Sequence, residues 1–453
     1  MQAINVPEAW ALTRGEGAVM AVIDTGVAYR DLSWNGMNAK AVPDLEGIDM
    51  VKPETFIDGA MPHGLDDHAH GTHVAGTMAQ ATDNGVGVTG VAHGGQIMPL
   101  KVLSGDGRGS VASISNAIRY AADNGAHVIN MSLGGPIPSR VMAKSVAYAH
   151  QKGVTVVCAA GNEKRSRVSY PAAYDGSVSV AATNSEGTRS FYSNWGKALD
   201  VSAPGGDTRK GPSGGVLQNT ILIQDPEHND YLAFQGTSMA SPHVAGVAGL
   251  IVSQGVTNPV EVEKILKETA VHPNGKTWDK EYGAGIVDAV AAVEAAKGKS
   301  YRAERAGFLG LLGLLGLSGG VLGAGGTGSG QERRRRVLAV GGLALGAAAT
   351  SGLVGTPLAY HLAGVTGLGA VGSGLFLSAL LPLLMTLVLF QRKALRGLLA
   401  GINLGYAALL AHAAVVLPTM LYAVPGGAAI DRVFLAANAV VALGLAYLVS
   451  RKR

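Results

Sequence analysis

Ser238 stands in Gln235-Gly236-Thr237-Ser238-Met239-Ala240-Ser241-Pro242-His243, just ahead of the apolar run Val244, Ala245, Val247, Ala248, Leu250 and Ile251. That run reads as a buried helix, which places the serine at a helix N-terminus. Free backbone N–H groups and the helix dipole there favour negative charge, as acyl transfer requires beside the attacking hydroxyl. A serine hydroxyl is a weak nucleophile, so it needs a base, and the base needs a third group to orient it. Two upstream residues supply those types. Asp24 closes the apolar run Ala18 to Ile23 and opens a Gly turn, where α/β sheets place their ligands. Its plainer reading is a turn residue. His70 opens the small-residue run His70-Gly71-Thr72-His73-Val74-Ala75-Gly76-Thr77, a helix that must pack closely against something. His73 lies inside that helix and reads as structural. His68, His70 and His73 lack the i, i+4 pair and adjacent Glu of a helical zinc site, so zinc is not expected.

Around these residues strands and helices alternate. Strands are expected over Ile97 to Leu103, Val128 to Ser132, Val154 to Ala160 and Val178 to Ala182. Helices are expected over Ser110 to Asn124, Ser139 to Gln151 and Pro259 to Thr269. That order argues an α/β fold with a doubly wound, mostly parallel sheet. Two strand ends carry further signals. Ser132-Leu133-Gly134-Gly135 leaves extended backbone beside Gly, suited to pairing with a peptide. Ala160-Gly161-Asn162 puts an amide donor at a strand end, where a turn residue is the alternative. Cys158 is the one cysteine and sits in an apolar strand, so it reads as a buried structural thiol.

Val22-Ile23-Asp24-Thr25-Gly26, His70 to Thr77 and Gly236 to His243, in that order, resemble the subtilisin-like serine peptidases over about residues 1–295. The resemblance implies a subtilisin-like fold and a serine endopeptidase acting on protein or peptide substrates. It implies Ser238 as nucleophile, His70 as general base and later acid, and Asp24 as the group that holds the imidazole. Asn162 matches the oxyanion-hole side chain, helped by the Ser238 backbone N–H. Ser132, Leu133 and Gly134, with Ala159, Ala160 and Gly161, match the segments that line the primary pocket and pair with substrate backbone. Their small side chains suit apolar or uncharged substrate residues. The basic loop carrying Lys164, Arg165 and Arg167 reads as a solvated one. A structural Ca2+ is also implied: Thr82 to Ala92 resembles the calcium loop, with the Asn84 side chain and the carbonyls of Thr82, Val86 and Val88 as ligands. Gln2 and Asp31 would complete an oxygen shell, although the segment around Asp31 is shorter than the family's pattern. Two departures stand out. The usual N-terminal prodomain does not precede the first strand, and Thr208 to Asp230 insert sequence just before the nucleophile, as a flanking hairpin or a long surface loop.

Beyond about residue 295 the composition changes. The first 300 residues hold 23 Lys+Arg against 29 Asp+Glu, the remainder 13 against 3. The basic residues of the remainder lie in short clusters between apolar runs, a membrane-topology pattern and no sign of nucleic-acid binding. A polar linker is expected over 296–306 and an all-α transmembrane region of about five helices over 307–453. The expected spans are Gly307–Gly326, Val337–Gly355, Val371–Phe390, Leu398–Leu417 and Val433–Ser450. Arg333 to Arg336, the Arg392-Lys393 cluster and Arg451 to Arg453 follow the first, third and fifth spans. The positive-inside rule then makes this a multi-pass cell-membrane protein with the peptidase domain outside. With no signal-peptide pattern at Met1, export would use these segments or sequence upstream. The competing readings are a membrane signalling or transport protein whose subtilisin-like domain only binds peptides, and an enzyme that matures one cognate substrate. Binding alone needs none of Asp24, His70, Ser238 and Asn162.

Overall fold

A computed structural model describes residues 1–223, 225–297, 399, 403, 407 and 428–450. The chain divides into two units, Met1–Ser300 and Tyr301–Arg453. The first contains β1 (Val19–Asp24), β2 (Leu32–Trp34), β3 (Met37–Ala39), β4 (Glu54–Thr55), α1 (His70–Ala79), β5 (Gln96–Lys101), α2 (Val111–Asp123) and β6 (Val128–Met131). Then follow α3 (Arg140–Gln151), β7 (Thr155–Ala159), β8 (Ser177–Thr183), β9 (Val201–Pro204), β10 (Val216–Leu222), β11 (Asp225–Phe234), α4 (Thr237–Ser253) and α5 (Pro259–Glu268).

Seven strands form one sheet in the order β4-β5-β1-β6-β7-β8-β9, and every pairing in it is parallel. Parallel sheets are covered on both faces, which explains why their strands read as unbroken apolar runs. In β1 the side chains alternate between two cores. Met20 and Val22 join the cluster that holds residues of α1 and α4, whereas Ala21 and Ile23 join the one that holds residues of α2 and α3. Ser110 and Ser139 cap α2 and α3, each accepting a backbone N–H three residues on. Cys158 is buried in the second cluster, and burial pushes its thiol up to about 12, an unreactive structural thiol.

The stretch 208–230 begins with two short 3-10 helices, Thr208–Lys210 and Pro212–Gly214, and then enters a hairpin in which β10 and β11 pair antiparallel, Val216 opposite Phe234. Of the expected spans, Gly307–Gly326, Val337–Gly355 and Val371–Phe390 lie outside the described residues, as does nearly all of Leu398–Leu417. Val433–Ser450 falls on the helix Ala428–Ser450. Among the described residues no helix is long and apolar enough to cross a membrane.

Candidate active site

The carboxyl ends of β1, β6 and β7 and the N-termini of α1 and α4 converge at one edge of the sheet. Asp24 is the last residue of β1 and is fully buried. His70 is the first residue of α1, and its Nδ1 lies 2.7 Å from Asp24 Oδ1, with the imidazole 22% exposed. The Thr25 N–H holds the same oxygen at 2.7 Å, so the carboxylate is aimed by its own turn. Gly71 makes this approach possible. A Cβ there would lie 2.2 Å from the Gly26 carbonyl oxygen and 3.1 Å from Asp24 Cβ. Burial pushes the His70 pKa down, but the charge and hydrogen bond of Asp24, then Asp66, outweigh it and hold it above the ordinary histidine value. Beneath the pair, fully buried Lys101 directs its three N–H groups to Asp67 Oδ1 (2.6 Å), the Leu103 carbonyl (2.9 Å) and the Thr25 carbonyl.

Ser238 is the second residue of α4. Its hydroxyl donates to the Ser132 carbonyl at 3.1 Å, and among the described residues no hydrogen bond joins it to His70. Such contacts commonly tighten only once substrate is bound. The Ser238 carbonyl has a particular problem. Its helical donor would be the N–H of residue 242, and Pro242 has none. The Ser132 hydroxyl donates to it at 2.7 Å instead. Ser132 Oγ in turn accepts from Asn130 Nδ2 at 3.0 Å, and Asn130 Oδ1 accepts from the Ser241 hydroxyl at 2.6 Å. Asn130 and Ser241 are fully buried. This network fastens the first turn of α4 to the end of β6. Neither residue stands out in the sequence, although Pro242 four residues after Ser238 signals a carbonyl that needs an outside donor.

Asn162 follows β7. Its Oδ1 accepts from the Thr237 N–H at 2.8 Å and the Thr237 hydroxyl at 2.9 Å. A backbone N–H can only donate, so this contact fixes the amide orientation. Among the described residues the Nδ2 donor has no hydrogen-bond partner, and it lies beside Ser238: a Cβ on Gly236 would sit 3.6 Å from it and 3.7 Å from Ser238 Cβ. Thr237 is the residue that aims Asn162, and it too does not stand out in sequence.

A cleft of about 760 Å³ runs alongside, bounded by His68 and His70, by Ser132, Leu133 and Gly134, and by Tyr170. The first expected substrate segment therefore lies on the cleft wall. The second does so less completely. Ala159 and Ala160 are buried, and the N–H and carbonyl of Ala160 are already paired with Val180 and Ser169. Gly161, at φ +105°, gives its N–H to the Thr237 hydroxyl at 3.1 Å. His68 also lines the cleft. His73 is buried away from it, with Nε2 2.9 Å from the Val216 carbonyl, which gives it a structural role.

Of the six residues expected around calcium, Asp31 and Asn84 are engaged by protein donors. Asp31 is exposed and engaged by Lys40 Nζ at 2.7 Å and the Ala41 N–H at 2.9 Å. The Asn84 side chain accepts from Val86 N–H in its own loop at 3.2 Å. The carboxylate that meets this loop is Asp44, which accepts from Val88 N–H at 3.3 Å and the Tyr231 hydroxyl at 3.0 Å. Its other oxygen is buried without a hydrogen-bond partner among the described residues. Among the described residues no three His, Cys, Asp or Glu side chains gather as a metal cluster. The Lys40 ammonium competes for Asp31 with the calcium expected at Gln2, Asp31, Thr82, Asn84, Val86 and Val88.

Comparison with known proteins fits this geometry. Residues 15–285 match the Subtilase family, and residues 353–453 match a domain of unknown function, DUF5942. The chain is 36% identical over 296 residues to thermitase of Thermoactinomyces vulgaris, a match covering 65% of this chain and 94% of that protein. It is 37% identical over 280 residues to subtilisin BL of Lederbergia lenta, covering 61% and 91%. Among solved structures, a protease of Pseudoalteromonas arctica superposes with a TM-score of 0.58 at 36% identity, covering 65% of this chain and 94% of that one. Fervidolysin of Fervidobacterium pennivorans, a keratinolytic enzyme related to subtilisin, superposes with a TM-score of 0.54 at 32% identity, covering 63% and 44%.

Proposed function

The chain belongs to the subtilase family and is a subtilisin-like serine endopeptidase, and we propose that Asp24, His70, Ser238 and Asn162 carry its chemistry. The observation that bears most weight is the 2.7 Å contact between His70 Nδ1 and buried Asp24. With Nδ1–H held by the carboxylate, Nε2 is the free base. It takes the Ser238 proton as Oγ attacks the substrate carbonyl carbon and returns it to the leaving amine. Asn162 Nδ2 and the Ser238 N–H stabilise the oxyanion in each half of the reaction. Water then attacks the acyl-enzyme by the same route and frees Ser238. The raised pKa of His70 places the acid limb of kcat/KM at or above the ordinary histidine value near 6.5, because only the neutral imidazole accepts the proton. Hydrolysis of casein by the purified chain, wild type against Ser238→Ala, tests the assignment. Loss of hydrolysis in the variant is expected, and unchanged hydrolysis defeats it.

We further propose that the C-terminal third anchors this peptidase in a membrane with the catalytic unit outside. The support is sequence: the uncharged runs after residue 306 and the Arg-rich clusters between them. Full-length chain resisting an alkaline carbonate wash, and cleaved by protease added to intact cells, is the expected result. Release by the wash rejects the anchor.

A further inference from the structure

Two contacts from the β10–β11 hairpin converge on the helix that begins with His70. Thr220, on β10, is fully buried and donates its hydroxyl to the Ala69 carbonyl at 2.6 Å. Ala69 immediately precedes His70 and has φ +95°, a left-handed value that a residue with a Cβ holds only when its surroundings fix it. The same carbonyl accepts the His73 N–H at 3.1 Å, so this oxygen joins the first turn of α1 to β10. One turn further on, His73 Nε2 lies 2.9 Å from the Val216 carbonyl and 3.1 Å from the Leu232 carbonyl, one from each strand of the hairpin. Both partners are acceptors, so Nε2 carries the proton. The His73 ring stacks on Phe234 with centroids 4.4 Å apart and planes 10° from parallel. Phe234 ends β11, and four residues later the chain reaches Ser238.

We propose that this hairpin sets the spacing between His70 and Ser238, and that Thr220 is the positioning residue through which it holds the base. The inference rests on the triad reading above. Thr220 touches none of the reacting groups; it acts through the Ala69 peptide. Without its hydroxyl, that peptide loses the contact that keeps its carbonyl turned toward β10, and the backbone relaxes from φ +95°. His70, the next residue, then drifts from both Asp24 and Ser238. A displacement near 1 Å in a reacting group costs up to about a hundredfold in rate.

The test compares Thr220→Val, which keeps the shape and removes the donor, with Thr220→Ser, which keeps the donor. Steady-state kinetics on a peptide anilide are normalised to the folded fraction read from a thermal melt. Thr220→Val is expected to lower kcat by about tenfold to a hundredfold while KM stays within about twofold, because Ser132 to Gly134 of the cleft wall lie beyond β6. Thr220→Ser restores most of kcat. The acid limb of kcat/KM moves to lower pH in Thr220→Val, because the Asp24 contact that raises His70 is loosened. The charged and titratable groups around His70 are Asp24 from β1, Asp66 and His68 from the loop ahead of α1, and His73 from α1, and both variants keep all four. Unchanged kcat, equal loss in both variants, or loss accounted for by the unfolded fraction with the pH profile unmoved would each overturn the inference. His70→Ala run alongside separates the two failures. If it leaves hydrolysis intact the triad reading fails as well, and if it abolishes hydrolysis while Thr220→Val does nothing, only the role of Thr220 falls.

Discussion

The proposed nucleophile, Ser238, and the proposed base, His70, are held in different ways. Around Ser238 the restraint is a polar network confined to strand ends and one helix terminus. Asn130 from β6, Ser132 just after it and Asn162 after β7 contact Thr237, Ser238 and Ser241. Around His70 the restraint comes from close packing and from a distant hairpin, with Gly71 against Gly26 and Thr220 against Ala69, 151 residues away in sequence. A hydrogen-bonded network tolerates a lost partner poorly, because the remaining buried groups are orphaned. A packed helix start depends instead on whether its neighbours keep their shape. The two flanks should therefore respond differently to substitution.

The largest effect after loss of a triad member is expected on the nucleophile flank. Asn162→Leu should lower kcat by about 10²–10³ with KM little changed, since in the proposed mechanism its donor serves the oxyanion. That range is the one known for the equivalent type of donor in subtilisin, a relative of this chain. Single-turnover acylation with a peptide ester checks it, and a loss confined to KM would mean that Asn162 binds ground-state substrate. Ser132→Ala comes next. It leaves the Ser238 carbonyl without a donor and Asn130 Nδ2 without an acceptor, so a destabilisation of about 1–3 kcal/mol is expected in urea unfolding. An unchanged midpoint would show that water replaces the hydroxyl. The smallest effect concerns pH and involves both flanks, His73 on α1 and His243 on α4. Burial lowers His73 to about 4 and His243 to about 3. The unfolded chain takes up these protons near pH 6.5 while the folded chain refuses them. Stability is therefore lost as pH falls from about 6.5 toward 4. His70 works the other way: its raised value adds stability below pH 6.5 that is lost as pH rises. Thermal melts across about pH 4 to 7 should fall on the acid side, and less steeply in His73→Gln.

Much of the site is legible in the sequence because its chemistry is written in short contiguous motifs. Asp24 ends a strand, His70 and Ser238 stand in the first turn of a helix, and Asn162 lies in the turn after β7, positions set by local apolar pattern and small-residue turns. The parallel sheet is legible for the same reason. What stays hidden is long-range. Nothing local to Thr220 says that its hydroxyl reaches Ala69, and nothing local to Asp44 says that it, and not Asp31, meets the loop at 82–88. Asn130 and Ser241 look like ordinary strand and helix polar residues until the topology lays β6 beside the start of α4. Ala159 and Ala160 look like free backbone at a strand end, whereas Val180 and Ser169 already occupy the Ala160 peptide groups.

The most direct test of the central claim is to locate the residue modified by a fluorophosphonate, in wild type and in His70→Ala, by peptide mass spectrometry with the rate of modification recorded. The assembled geometry predicts a single adduct on Ser238 that forms rapidly in wild type and slows by orders of magnitude without the His70 imidazole. An adduct on another serine, or an equal rate in the two proteins, would contradict the assignment of Ser238 and His70 as nucleophile and base.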